Sequence, residues 1–311
     1  MAVTPAMIKE LREMTGSGMS DCKKALEEVG GDMKKAVEFL REKGLAAAEK
    51  KAGRIAAEGL VAVRVAPDFA QAVIVELNCE TDFAAKSPAF TEYVDEVADQ
   101  LFASNATDLD AFMAESWTKG GGTVQDVLKG KIATIGENLN IRRIARVKKD
   151  AQGVIANYIH GGGKIGVLLE VHSASNNAAA LTEMGKNLCM QIAALFPKYL
   201  KSDDVDQEYI AEETRILEAA AKNDPANASK PAGVIENMVK GRLAKQLKEI
   251  CLLEQEYVKD PQMTVKAYVE SVAKEIGADI TLASFECFER GAGIEKKQED
   301  FAEEVAKAMQ G

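Results

Sequence analysis

The stretch Val73-Ile74-Val75-Glu76-Leu77 is typical of a buried strand, and it has a counterpart later in the chain. With an offset of 94 residues it aligns with Val167-Leu168-Leu169-Glu170-Val171, and the alignment runs without a gap from Gly59 and Gly153. Scaffold residues agree between the two copies. We therefore predict two related core subdomains that share one local plan.

Each copy predicts two strands, a tight connection and a helix. In the first copy these are strands at 60–65 and 72–77, a turn at 66–68 and a helix at 88–102. In the second copy they are strands at 154–159 and 164–171, a turn at 160–163 and a helix at 180–196.

A third strand completes each copy, and the second copy carries an insertion. Residues 135–147 align with 276–288 at an offset of 141, so 47 residues are inserted before residue 276. Apolar stripes at helical spacing, from Tyr209 to Ala220 and from Leu243 to Tyr257, predict an antiparallel helical hairpin at about 203–258. Its apolar faces either close on each other or pair with a second copy, so a homodimer stays open.

The N-terminal region predicts three short helices. Their boundary signals are Thr4-Pro5, Gly16-Ser17-Gly18, a cap at Ser20 or Asp21, and Gly30-Gly31-Asp32. A bundle of about 45 residues is small for an independent fold and typical of a docking module. Residues 46–54 predict a helical or flexible tether.

These elements predict an α+β fold with antiparallel sheets. The expected division is an N-terminal helical module and tether at 1–54, core subdomains at 55–148 and 149–292, and a C-terminal module at 293–311. In the last module, residues 294–309 predict an amphipathic helix.

Composition excludes several classes of function. The chain has 39 Lys and Arg against 49 Asp and Glu, a net charge of −10, which disfavours a nucleic-acid binder. It shows no bilayer-length apolar run and no signal-peptide pattern, so we expect no membrane association. Five widely spaced cysteines without Cys-x-x-Cys fit reduced thiols in the cytoplasm, and only two histidines disfavour a zinc site. We expect neither a metal nor a cofactor.

Gly161, Gly163 and Gly166 match the spacing of a dinucleotide-binding loop, but they join two predicted strands. A dinucleotide site requires a strand before the glycines and a helix after them. Lys164 is followed by Ile165 in place of Ser or Thr, which also excludes a phosphate-binding P-loop. We interpret these residues as a hairpin turn and predict no catalytic site, since a hydrolase using Asp82 and His160 has no further support.

The two copies differ at the corner between their second strand and their helix. Thr81-Asp82-Phe83 in the first copy aligns with Ser175-Asn176-Asn177 in the second. Asp82 is either a functional acid or a helix cap, the latter only if residues 83–85 are helical. Phe83 is either a core residue or an exposed anchor for a partner. A corner that differs where the scaffold agrees is where we expect function.

Five segments, in order along nearly the whole chain, carry a resemblance to a known family. They are residues 11–26 (LREMTGSGMSDCKKAL), 78–86 (NCETDFAAK), 135–143 (IGENLNIRR), 160–167 (HGGGKIGV) and 293–296 (GIEK). Together these segments resemble the bacterial elongation factor Ts family. The resemblance implies a first module similar to a ubiquitin-associated domain, two core subdomains, a coiled-coil hairpin and a C-terminal helical module. It also implies guanine nucleotide exchange on elongation factor Tu, in its GDP-bound and nucleotide-free forms, during translation elongation.

The same resemblance implies roles for individual residues. Thr81, Asp82, Phe83 and Ala84 match the segment that disturbs the Mg²⁺ site of elongation factor Tu. Phe83 wedges into the nucleotide domain of the partner, and Asp82 presses on a nearby helix and loop. The other implied contacts are Gly16, Ser17, Gly18, Met19, Ile135, Gly136 and His160. The alternative is a passive binding module without exchange activity.

Overall fold

The computed structural model describes residues 3–227 and 230–295, and all elements below lie in these ranges. The fold class is α+β, as predicted. The helices are α1 (Pro5–Thr15), α2 (Met19–Glu28), α3 (Met33–Lys51), α4 (Asp82–Ala85), α5 (Pro88–Ala103), α6 (Leu109–Ala114), α7 (Val124–Ile135), α8 (Ala178–Leu195), α9 (Gln207–Asn223), α10 (Ala232–Ile250) and α11 (Val265–Ile276). The strands are β1 (Glu58–Val65), β2 (Gln71–Cys79), β3 (Asn140–Lys148), β4 (Gly153–His160), β5 (Ile165–Ser173), β6 (Glu256–Tyr257), β7 (Asp260–Thr264) and β8 (Ile280–Glu289).

Two antiparallel sheets, ordered β1-β2-β3 and β4-β5-β8, are built to the same plan. Glu76 of β2 lies opposite Arg143, and Glu170 of β5 lies opposite Ser284. In both sheets the register shifts immediately after that glutamate. A bulge is a specific local feature, so its recurrence confirms the predicted repeat at the level of strand pairing.

A close backbone contact also recurs in both halves. Gly59 and Gly153, at the start of β1 and β4, have φ values of +131° and +150°. A Cβ at either position would overlap a carbonyl oxygen, that of Leu77 or that of Val171. Both positions therefore require glycine for the same physical reason.

The two sheets pack face to face through equivalent residues. Their contact layer contains Val61, Ala72, Ile74, Val147, Ile155, Leu168 and Phe288. On its other face, each sheet packs against helices of its own half, mainly α5 and α7 in the first and α8 and α11 in the second. The core therefore has four layers, helix, sheet, sheet and helix, with a contact like the self-complementary interface of a symmetric dimer.

A buried carboxylate joins the two sheets. Glu76 is fully buried, and it accepts hydrogen bonds from Arg143 Nε at 2.6 Å and from the N–H of Gly291 at 2.7 Å. Burial is the largest single influence on this group and raises its pKa. The hydrogen bonds from Gly291, Asn78 and Arg143 together outweigh burial, so the pKa of Glu76 lies below its ordinary value. Ionised Glu76 therefore links β2 to the segment after β8.

The equivalent glutamate of the second half has different partners. Glu170 accepts the hydroxyl of Ser284 at 3.0 Å and lies 2.7 Å from Nε2 of His172. Asp150, which aligns with Gly291, lies 3.6 Å from the same His172 nitrogen. The scaffold position is thus shared, whereas the charges around it are not.

The N-terminal helices pack around a small core that includes Leu11 and Leu26. Thr4 and Asp32 cap α1 and α3, as predicted. The predicted cap of α2 is wrong, because Gly18 occupies the cap position while Ser20 and Asp21 lie inside the helix. The Asp21 carboxylate instead accepts a 2.7 Å hydrogen bond from Lys43 of α3, which fixes α2 against α3.

The predicted tether is helical to Lys51, because α3 continues that far. α3 packs along α7, and Arg41 pairs with Asp126 of α7 at 2.9 Å. A Cβ on Gly44 would lie 3.3 Å from the Ala133 methyl, so the small residue allows the two helices to approach closely. The N-terminal bundle is therefore docked on the first core half through α3 and α7.

The insertion contains the predicted helical hairpin, formed by α9 and α10, which pack on each other. The second predicted stripe extends too far. α10 ends at Ile250, so Leu253 lies in a short 3-10 turn and Tyr257 lies in β6. Both side chains pack against the core of the second half, which explains their apolar character without a longer helix.

The C-terminal helix expected at 294–309 lies outside the described residues, apart from its first two positions. Where the structure is described, none of the helices has the length and apolar character needed to cross a membrane. The domain boundaries given above stay a prediction.

Candidate functional site

The chain turns sharply between β2 and α5. Thr81 has an extended backbone and caps the one-turn helix α4, because its hydroxyl oxygen accepts the N–H of Ala84 at 3.1 Å. Ala84 and Ala85 are buried against the core, whereas Phe83 is 83% exposed. The short helix therefore presents its small residues to the core and its aromatic ring to solvent. Of the two readings of Phe83, the structure shows the exposed one.

Asp82 is the first residue of α4. Residues 83–85 are helical, as capping by Asp82 would require, but the capping side chain is that of Thr81. Lys86 donates a 2.6 Å hydrogen bond to the Asp82 carboxylate. This hydrogen bond is the main reason why the pKa of Asp82 lies below its ordinary value. An ionised carboxylate with an exchangeable lysine partner therefore lies beside the exposed ring.

A carboxylate from the α7–β3 connection holds this corner. Glu137 Oε2 accepts the N–H groups of Glu80 and Thr81 at 3.0 and 3.1 Å, and Oε1 accepts the Thr81 hydroxyl at 2.6 Å. In the opposite direction, Glu80 Oε1 accepts the N–H of Asn138 at 2.6 Å. We call residues 80–81 and 137–138 the corner clamp.

The corner clamp also contacts the end of the N-terminal module. Arg54 pairs with Glu80 at 3.4 Å, and the Asn138 side chain donates to the Arg54 carbonyl at 2.7 Å. Arg54 is the last residue of the predicted tether. The corner is therefore tied both to the α7–β3 connection and to the chain that leaves the first three helices.

Several of the predicted contact residues lie on adjoining elements. Ile135 ends α7, and Gly136 follows it in the left-handed conformation with φ +87°, which leads the chain directly to Glu137. Gly16, with φ +67°, ends α1, and a Cβ there would lie 3.9 Å from the Thr134 side chain. The loop at residues 16–19, including exposed Met19, therefore lies near the end of α7 that leads to the clamp.

His160 is placed differently. It ends β4, and its Nδ1 lies 3.0 Å from the Tyr158 hydroxyl. Gly161, Gly162 and Gly163 follow with positive φ, which confirms the hairpin turn. The Gly163 carbonyl accepts the N–H of Val61 at 2.8 Å, so this turn lies beside β1. No described contact joins the His160 ring to the corner clamp.

The sequence reading missed Glu80 and Glu137. A signal for them was present in the sequence. The offset of 94 that aligns Phe83 with Asn177 also aligns Glu80 with Ala174, and the offset of 141 aligns Glu137 with Ala278. Both carboxylates of the corner clamp are therefore confined to the half that carries Phe83, and this contrast between the two copies marks the support of the corner.

One group of side chains in the described ranges could share a metal ion. The ligand atoms of Asp150, Glu170 and His172 lie within 4.8 Å of one another. Glu170 already receives the Ser284 hydroxyl and contacts His172, so its oxygens have protein partners. The group occupies the position equivalent to Glu76, Asn78 and Gly291, where Glu76 accepts hydrogen bonds from the other two residues.

Comparisons with known proteins extend over the whole chain. The family model described as "Elongation factor TS" matches residues 80–292. Elongation factor Ts of Clostridioides difficile is 52% identical over 307 residues, covering 99% of both chains. That of Clostridium perfringens is 49% identical over 305 residues, 98% of both chains. That of Clostridium tetani is 48% identical over 309 residues, 99% of this chain and 100% of the relative.

Proposed function

The chain belongs to the elongation factor Ts family of translation elongation factors, and on that premise we propose that it is a guanine nucleotide exchange factor for elongation factor Tu. It binds the GDP-bound form and promotes GDP release, which leaves the nucleotide-free form available for GTP. The proposed action takes place in the cytoplasm. It makes and breaks no covalent bond and uses no cofactor, so the protein is not an enzyme in this account.

The exposure of Phe83 is the observation that carries the proposal. An aromatic ring that is 83% exposed on an ordered one-turn helix is disfavoured in water and available to a partner. Asp82 and Lys86 surround it with charge. We propose that Phe83 inserts between side chains of the nucleotide domain of elongation factor Tu, while Asp82 presses on the adjacent helix and loop. Thr81 and Ala84 hold and space these two side chains.

The energetic requirement can be compared with what one ring supplies. A thousandfold acceleration of GDP release requires a barrier lower by about 4 kcal/mol. A buried aromatic anchor contributes roughly 2–4 kcal/mol. Disturbance of Mg²⁺ adds to this, because the ion neutralises charge on the phosphate oxygens that hold GDP. Ring insertion combined with loss of Mg²⁺ coordination is therefore sufficient in magnitude.

Thermodynamic linkage gives the direction of the effect. A protein that binds nucleotide-free elongation factor Tu more tightly than the GDP-bound form weakens GDP affinity by the same factor. Exchange then requires only that the protein binds these two forms of elongation factor Tu with different affinities. The pairing of Asp82 with Lys86 is compatible with this, since both side chains are exposed and can change partners.

Further contacts with the same partner are proposed for the loop at residues 16–19, for Ile135 and Gly136, and for His160. The first two sets lie on elements that lead towards the corner clamp, so one surface can include them with Phe83. His160 contributes from the side of β1. Self-association through the hairpin stays a prediction, and exposed Ile216 and Val234 are the apolar residues of α9 and α10 available for it.

The test is the rate of GDP release from purified elongation factor Tu, measured by stopped flow with a fluorescent GDP analogue. The wild-type chain should accelerate release, and Phe83→Ala should slow the accelerated rate by about 30-fold, which corresponds to about 2 kcal/mol. Phe196→Ala is the matched control, because Phe196 is also exposed but ends α8 in the other half.

Two outcomes would count against the proposal. If the wild-type chain leaves the release rate unchanged while raising the melting temperature of elongation factor Tu, the protein is a passive binding module. If Phe83→Ala and Phe196→Ala give the same rate as wild type, exchange does not act through the corner.

A further inference from the structure

We propose that Glu137 is a positioning residue that holds Phe83 in the orientation required for nucleotide exchange. This inference rests on the exchange function proposed above. It assigns Glu137 no contact with the nucleotide or with Mg²⁺. Its role is to fix the corner before the partner binds.

Three hydrogen-bond donors converge on the side chain of Glu137. The Glu137 carboxylate accepts two backbone N–H groups, from Glu80 and Thr81, and the Thr81 hydroxyl. Bonds to a charged acceptor are stronger than those between neutral groups. The backbone that leads into α4 is therefore held by the segment that follows α7.

The Thr81 hydroxyl connects Glu137 to the cap of α4. This group has one hydrogen, which is directed to Glu137 at 2.6 Å. A lone pair of the same oxygen then accepts the N–H of Ala84 at 3.1 Å, which caps α4. Glu137 thus selects the rotation of the hydroxyl that caps the helix carrying Phe83.

The contact between the two chain segments is reciprocal. Glu80 accepts the N–H of Asn138 at 2.6 Å, while its own N–H is donated to Glu137. Because hydrogen bonds run in both directions between residues 80–81 and 137–138, neither segment can rotate freely relative to the other. A lone N-cap interaction would allow the one-turn helix to unwind, because a single turn has little stability of its own.

The equivalent corner of the second half, residues 174–177, which we call the twin corner, lacks these carboxylates. The positions equivalent to Glu80 and Glu137 are Ala174 and Ala278. In that half the chain bends at residues 174 and 176, and Asn177 caps the long helix α8 directly. Both carboxylates are therefore absent where there is no exposed ring to hold, although the scaffold around them is the same.

The consequence for exchange is pre-organisation. A ring held in its working position loses less conformational freedom when the partner binds, and more of the contact energy remains to distort the nucleotide site. Removal of Glu137 should therefore reduce the maximal rate of GDP release reached at saturating concentrations of this protein. It should leave the remaining contact surface in place.

The experiment measures GDP release from elongation factor Tu at saturating concentrations of the wild-type chain and of three variants. Glu137→Ala should lower the maximal rate about tenfold, whereas Glu137→Gln, which keeps one acceptor oxygen, should lower it by about threefold or less. Glu115→Ala is the matched control: Glu115 accepts the Ser104 hydroxyl at 2.8 Å in the same half but lies outside the clamp. It should release GDP at the wild-type rate.

A double-mutant cycle separates positioning from a general loss of structure. In a Phe83→Ala background, Glu137→Ala should change the rate by less than about twofold, because the side chain that it positions is already gone.

An equal effect in both backgrounds overturns the inference, as does a wild-type rate for Glu137→Ala or a loss shared by Glu115→Ala. If Phe83→Ala slows release and Glu137→Ala does not, only this inference fails. If the wild-type chain does not accelerate release, the exchange function fails and this inference falls with it.

Discussion

The corner after β2 and the corner after β5 occupy equivalent positions in the two halves, yet they end in different structures. After β2, Thr81 caps a single turn of helix and Phe83 projects into solvent. After β5, the residue equivalent to Phe83 is Asn177, whose side chain accepts the N–H of Ala180 at 3.2 Å and caps α8. One position thus supplies either an exposed ring or a cap for a helix. The difference shows that a surface corner can change its structure while the sheet that supports it stays the same.

The largest effect on stability should appear at a position that both halves share, that of Gly59 and Gly153. Gly59→Ala and Gly153→Ala should each lower the free energy of unfolding by about 3–4 kcal/mol, because the added Cβ meets a carbonyl oxygen at a backbone conformation that favours glycine. Urea unfolding followed by circular dichroism measures both. Gly233→Ala in α10 is the control, since it has open space, and it should be neutral or slightly stabilising. Clearly unequal losses at Gly59 and Gly153 would contradict the structural equivalence.

A smaller and unequal pair of effects is expected at the glutamates between the sheets. Glu76→Gln should lower the free energy of unfolding by about 2–3 kcal/mol, since it leaves Arg142 and Arg143 without their buried counter-charge. Glu170→Gln should cost about 1 kcal/mol, because a neutral side chain can still accept the Ser284 hydroxyl. The same unfolding experiment compares them, and equal losses would show that the two arginines add nothing.

At the twin corner the expected effect is about 1 kcal/mol. Asn177→Ala removes the N-cap of α8 and should lower the free energy of unfolding by that amount, with no change in GDP release. Phe83→Ala should slow GDP release and leave the free energy of unfolding nearly unchanged, because an exposed ring contributes little to folding. The two variants, each measured for stability and for exchange, test whether the corners have separate roles. Slower GDP release with Asn177→Ala would contradict separate roles for the two corners.

The smallest effect concerns acid sensitivity. The folded-state pKa of Glu76 lies below its ordinary value, so its ionised form stabilises the fold above the unfolded-state pKa. This contribution is lost as the pH falls through the folded-state pKa. Wild type should therefore lose more stability than Glu76→Gln when the pH is lowered from 6 into the region below about 4. Parallel pH curves for the two proteins would show that Glu76 does not contribute to the acid response.

The scaffold was predictable because its sequence pattern occurs twice in the chain. The offsets of 94 and 141 predicted the paired sheets, and the observed bulges after Glu76 and Glu170 follow the same alignment. Boundaries set by tertiary contacts were harder to predict. α10 ends at Ile250, because Leu253 and Tyr257 pack on the second core instead of extending the helix.

The site was predictable only in part. An acid and an aromatic ring found in one copy marked the corner, and the exposure of Phe83 agrees with that prediction. The corner clamp was missed because its members are 56 and 57 residues apart in sequence, as in the bonds from Thr81 and Glu80 to Glu137. Hydrogen bonds between distant loops leave no periodic pattern in the sequence. Only the contrast of Glu80 and Glu137 with Ala174 and Ala278 in the other copy marks these two positions.

The contact layer between the sheets has an evolutionary consequence. Val61 with Ile155, and Val147 with Phe288, place corresponding residues of both halves in one apolar layer. Lys149 donates to the Gly153 carbonyl, and Arg290 donates to the Gly59 carbonyl, so even the polar links correspond. This is the arrangement expected when a gene whose product self-associates is duplicated and fused. After fusion each copy mutates separately, which allows one corner to carry an exposed ring while the corresponding residue of its sibling caps a helix.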